Sequence, residues 1–330
     1  MRNRLSRPIA TVSIGPVTVT RTARLTGAAL CAALALVIVV WLLSDLATFR
    51  SPVELLWYWA GDRAFLLRRR AATSLVDPVL LVAYLATAFA ALRSSLAGPA
   101  LAVTGLTTLA LRLPGLWAAG VDALVTTLLT LALAAGLVVT ASAGRRDEHE
   151  QEREGEPGGP TRPRTGPAVA AGALCGLAAL VWAAWEVHWA TALPVEFTVD
   201  RFTGGRSLLL PALAVPPGWL DVVLTLLLLA AALSALTRAR HARPVGLLAG
   251  LLLTGWGTGG VATALRAGWF GGLADLEADT LLAVLTSVFA VLAGAAVMVL
   301  LARPGARRRS PYRPVAALPP APPARRPPGW

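Results

Sequence analysis

The chain has 330 residues, of which 56% are hydrophobic and 15% charged, and its mean hydropathy is +0.64. That composition excludes an ordinary soluble domain, because the apolar residues gather in blocks of about twenty, the length that crosses a bilayer as helix. The formal charge of +12 comes from thirty arginines and no lysine against eighteen acids. The arginines flank apolar blocks, so they read as orientation signals and not as a nucleic-acid surface.

Taken in order, residues 1–24 form a basic N-terminal tail with Arg2, Arg4, Arg7, Arg21 and Arg24. It resembles the start of a signal peptide, but no small-residue cleavage pattern follows the apolar run 25–43, which predicts a retained first span. The polar interval 44–73 is long enough for one surface helix. Leu55, Leu56, Trp57, Tyr58 and Trp59 make the aromatic cluster expected at the headgroup level. A second span is predicted over 74–92, with Asp77-Pro78 near its start, and a third over 98–116, with Arg112 and Pro114 near its far end. The fourth runs from about 121 to 143. Residues 144–166 hold five arginines, six acids and several prolines and glycines, and read as a flexible charged connector.

The second half predicts spans over 167–184, 220–236, 245–265 and 281–302, and it echoes the first. Leu30, Cys31, Trp41 and Asp77 recur as Leu174, Cys175, Trp185 and Asp221, each 144 residues on, while Pro99 and Gly105 recur as Pro244 and Gly250 at 145. Asp122 is matched with Asp279 across a small insertion. Several matches in order, polar residues among them, predict an internal duplication. The tail 303–330, with nine prolines and seven arginines, cannot pack a core.

The expected fold is therefore an all-α polytopic membrane protein of about eight helices, built as two parallel four-helix repeats over 25–143 and 167–302. With the N-terminus cytoplasmic, twenty-one of the thirty arginines fall inside and nine outside, which favours both termini inside and a plasma-membrane location. In composition, the absence of lysine with alanine- and leucine-rich spans and arginine-proline tails resembles membrane proteins of high-GC actinobacteria.

Function is carried by little in this sequence. Each outward loop supplies a glutamate after Pro-Val and an arginine after a glycine pair or Gly-Asp, and the following outward-starting spans open on an aspartate. The resulting set is Glu54, Arg63, Asp77 and Asp122 in one half and Glu196, Arg206, Asp221 and Asp279 in the other. Acids at helix starts are favoured by the exposed amides, so these residues either tie each loop to its bundle or line a polar vestibule. An enzyme acting on a lipid-linked substrate at the outer face would draw on Asp45, Glu54 or Asp62. The two cysteines sit inside apolar spans as packing residues, and His149, His188 and His241 show no metal-ligand spacing. No phosphate-binding loop, dinucleotide fingerprint or nucleophile elbow is present, so no cofactor, metal, nucleotide or nucleic acid is expected. The leading expectation is an accessory or scaffold component of a cell-envelope system, with lipid and other membrane proteins as partners. A small polar-solute transporter or channel is the first alternative, the outer-face enzyme the second.

Overall fold

A computed structural model describes residues 18–61, 71–94, 96–118, 120–146, 164–205 and 208–302. The described residues are helical apart from loops and one two-residue pairing, and eight helices are long and apolar enough to cross a membrane. The chain is an integral, multi-pass membrane protein, consistent with the plasma membrane. Large apolar side chains such as Leu36, Val40, Leu180 and Leu292 stand exposed along these helices, as side chains facing lipid must.

Helix α1 (Arg21–Phe49) starts where Thr20 accepts the amide of Ala23 at 3.3 Å and stops at Arg50, which takes a left-handed conformation with φ 58°. It runs six residues past the apolar block read from the sequence. Asp45 is drawn into its last turns because the carboxylate finds amide partners on a later segment. Helix α2 (Pro52–Trp59) has proline at its start and Ser51 as its cap, close to Glu54 in the first turn. It is the surface helix expected in this interval. Its Leu55 and Tyr58 turn inward onto Phe49, with the Tyr58 and Phe49 rings 5.3 Å apart edge to face, while Leu56 stays exposed.

Helices α3 (Val76–Arg93), α4 (Ala97–Arg112), the single turn α5 (Gly115–Ala118) and α6 (Val121–Ala143) complete the first half. Helix α1 packs on α3 and α6, and α4 packs on both of them. The core between them joins Cys31, Leu34, Leu80, Tyr84, Leu101 and Leu137. The chain enters and leaves this bundle at one end: Thr18–Val19 pairs antiparallel with Arg145–Arg146, and the Thr20 amide donates to the Gly144 carbonyl at 3.0 Å.

The second half holds α7 (Thr165–Ala192), the short α8 (Val195–Thr203), α9 (Pro217–Leu236), α10 (Ala242–Arg266) and α11 (Ala278–Ala302). Helix α7 packs on α9 and α11, α10 packs on both, and Cys175, Trp182, Leu228, Leu253 and Val297 fill the core. The α7 indole of Trp185 donates to Thr286 of α11 at 3.1 Å, and the α1 indole of Trp41 donates to Thr126 of α6 at 3.3 Å. A β-carbon added at Gly250 would lie 2.9 Å from the Gly294 carbonyl, and one added at Gly105 would lie 2.9 Å from the Ala134 carbonyl. These glycines let neighbouring backbones approach, which is how helices gain contact where lipid offers no hydrophobic drive.

The halves meet through α10 against α3 and α4, and α9 against α4. Val215 and Leu220 belong to the first half's core, and Ala83 to the second's.

Candidate functional site

The polar side chains gather at the end of the bundle where α1 and α4 finish and α3 and α6 begin. Asp45 accepts the amide of Ala72 at 2.9 Å with one oxygen and the amide and hydroxyl of Thr73 at 2.8 and 2.5 Å with the other. Trp59 of α2 donates its indole N–H to the same Thr73 hydroxyl at 3.3 Å. A buried carboxylate is tolerable only when bonded in this way, and here it pins the segment leading into α3 onto α1.

Asp77 lies in the first turn of α3. One oxygen accepts the Ser74 amide at 2.6 Å, and the other pairs with Nη2 of Arg112 from the end of α4. The two side chains are 1% and 6% exposed, so this is a buried ion pair. Nη1 of Arg112 donates to the Leu213 carbonyl at 2.8 Å, across to the second half, while Nε has no partner among the described residues. The amide of Leu213 donates to the Ala72 carbonyl at 2.8 Å, and the Trp219 indole to the Ala110 carbonyl at 2.7 Å. The loop before α9 is thus stitched along the end of the first half. Thr263 of α10 adds a further tie, donating its hydroxyl to the Ala60 carbonyl.

The second half assembles a different cluster. Nη2 of Arg201, on α8, reaches Glu186 of α7 at 2.6 Å and Asp221 of α9 at 3.4 Å, and its guanidinium lies 5.4 Å from the Trp189 ring centre. His188 lies 3.6 Å from Asp279, against the rings of Trp185 and Trp189. Glu186 and His188, two residues apart, thus meet different partners on different sides of α7.

Of the residues the sequence nominated, Asp77 and Asp221 each hold an arginine, but neither arginine is the nominated one. Arg63, Arg206 and Asp62 lie outside the described residues, as do the side-chain surroundings of Asp122, whose backbone opens α6. Glu54 sits in the first turn of α2 and Glu196 in that of α8, where they complement the helix ends. Arg112, Arg201 and Glu186 are the functional-looking residues that sequence reasoning passed over. Arg112 and Glu186 stand near span ends, where a charged residue reads as a boundary marker, and Arg201 lies in the short α8 between two spans.

Between the loop and the first half opens a cavity of about 530 Å³, lined by Ala72, Arg112, Gly120, Thr127, Gly204 and the 208–214 segment among others. A smaller void of about 10 Å³, the size of one water centre, is also bordered by Arg112 and is ringed by Thr73, Asp77, Thr126, Thr127 and Thr130 among others. Among the described residues no three His, Cys, Asp or Glu side chains are grouped to hold a metal ion. No protein-family model, curated protein or solved structure matches the chain.

Proposed function

We propose that this chain is an accessory or scaffold component of a cell-envelope system, built as two parallel four-helix units with both termini cytoplasmic. The duplication is supported by contacts that repeat in register. Trp41 and Trp185 stand 144 residues apart and their partners Thr126 and Thr286 stand 160 apart; Gly105 and Gly250 stand 145 apart and the carbonyls they approach, on Ala134 and Gly294, again 160. On this register Asp279 and Asp122 are not counterparts, since the fourth spans are offset by 160 and not 157.

The observation that carries the scaffold role is the docking of the 208–215 loop and the start of α9 across the first unit, through Arg112 to Leu213, Leu213 to Ala72 and Trp219 to Ala110. Halves that rock against each other, as transporters of this general build do, need an interface free of such stitches at the end that opens. The outer-face enzyme reading draws on Asp45, whose oxygens already accept three hydrogen bonds. The cavity beside Arg112 is what favours the solute-binding alternative.

Two measurements on the full chain decide the matter. Cross-linking in native membranes should capture a defined membrane-protein partner at fixed stoichiometry, and proteoliposomes of the purified chain should show no solute flux above protein-free vesicles. Solute flux by the isolated chain, with no partner captured, would replace the scaffold reading with the transporter.

A further inference from the structure

We propose that the short helix α8 (Val195–Thr203) lies in the headgroup layer of the bilayer, with Val195 and Val199 inserted among the lipids. The partner is a neutral lipid surface, met by apolar contact and not by charge.

The sequence of α8 is two-sided. At about 100° per residue, Thr198, Phe202, Val195, Val199 and Thr203 fall in that order along one arc of about 140°, while Glu196, Asp200 and Arg201 fall outside it, with Phe197 between the last two. The arc carries no charge. Its two hydroxyls donate back along the chain, Thr198 to the Pro194 carbonyl at 3.3 Å and Thr203 to the Val199 carbonyl at 3.0 Å, so neither depends on water. One flank of the arc faces α9, where a β-carbon added at Gly218 would lie 3.1 Å from the Phe202 ring. The other flank is uncovered, with Val195 78% and Val199 51% exposed.

What meets that flank follows from depth. Arg201 reaches Glu186 of α7 at 2.6 Å and Asp221 of α9 at 3.4 Å, so α8 is fixed level with the last turns of one span and the first turns of the next. Helix α7 has 28 residues, about 42 Å of helix against a hydrocarbon core of about 30 Å. It is long enough to leave the hydrocarbon before its end, and Trp185, Glu186 and Trp189 mark where it does. Val187, at the same level of α7, is exposed, so the bundle already presents apolar surface to lipid there.

Charge plays no part in holding the helix down. Its one arginine is already engaged by two carboxylates, and its other charges are the acids Glu196 and Asp200, which anionic headgroups would repel. The lipid contact and the ion cluster hold the same helix. Lifted from the membrane, α8 would withdraw from Glu186 and Asp221 the arginine they share.

The test places an environment-sensitive fluorophore on single new cysteines of the full chain, where Cys31 and Cys175 are buried, in phosphatidylcholine nanodiscs. The label on Val195→Cys, or on Val199→Cys should the first variant fail to fold, should emit to the blue of the label on Glu196→Cys. A nitroxide carried near the lipid glycerol should quench it more strongly than the Glu196 label, and aqueous iodide less strongly. Neither readout should change when phosphatidylglycerol is mixed in or salt is raised. The proposal is overturned if the two labels respond alike, or if the blue shift appears only with phosphatidylglycerol. It is equally overturned if the valine label is shielded from both lipid and water, which would mean that a second copy of the chain covers the flank.

Discussion

Arg112 holds Asp77 with one guanidinium nitrogen and the Leu213 carbonyl with another, so a single side chain closes the first half and fastens the second to it. Arg112→Gln leaves a buried carboxylate unpaired and should destabilise the protein by about 3–5 kcal/mol. Asp77→Asn in the Arg112→Gln background should recover part of that loss. Denaturation midpoints of the two single variants and the double, in one detergent, measure the coupling; additive losses would mean the pair contributes nothing as a pair.

The indole bonds provide a test of the duplication. Thr126→Val and Thr286→Val each remove one neutral hydrogen bond at matching places, and each should cost about 1 kcal/mol. Their effects should add, since one bond ties α1 to α6 and the other α7 to α11. Thermal melts of the purified single and double variants provide the comparison.

Gly105 and Gly250 should be intolerant of alanine. The new methyl would sit 2.9 Å from a helix carbonyl in each case, and the backbones must separate to admit it. A cost of about 1–3 kcal/mol per site is expected, read as lower recovery of folded protein from membranes and a lower melting temperature. A neutral result at either glycine would mean that α4 on α6, or α10 on α11, is looser than this geometry.

Orientation can be read by thiol labelling against a low background, because Cys31 and Cys175 are 0% and 1% exposed. In intact cells Ser51→Cys should react with an impermeant reagent, while Glu150→Cys and Arg325→Cys should react only after lysis. The opposite pattern would invert the topology.

The spans are legible in the sequence because membrane insertion depends on a local property, the apolar content of about twenty consecutive residues. Asp77 and Asp221 are legible for a related reason, since acids at helix starts have a local rationale. Their partners are not. Arg112 sits 35 residues from Asp77 and Arg201 lies 20 from Asp221, and nothing in either spacing favours those arginines over Arg63 or Arg206. The pairings come from which helix ends meet, α4 beside α3 and α8 beside α9, and that is decided by packing over the whole bundle. Asp45 shows the same limit: in the sequence it reads as a candidate catalytic acid, and its role as a clamp on residues 72 and 73 depends on a loop folding back by 27 and 28 positions.

The two-residue pairing of Thr18–Val19 with Arg145–Arg146 brings the two ends of the first bundle together at a single edge. A bundle whose ends already touch does not need covalent continuity with the second half. A chain severed within the connector and produced as two polypeptides should reassemble by complementation, because Arg112, Trp219 and Thr263 join surfaces and not neighbouring sequence. The same geometry makes the join between the halves a natural site for inserting foreign cargo.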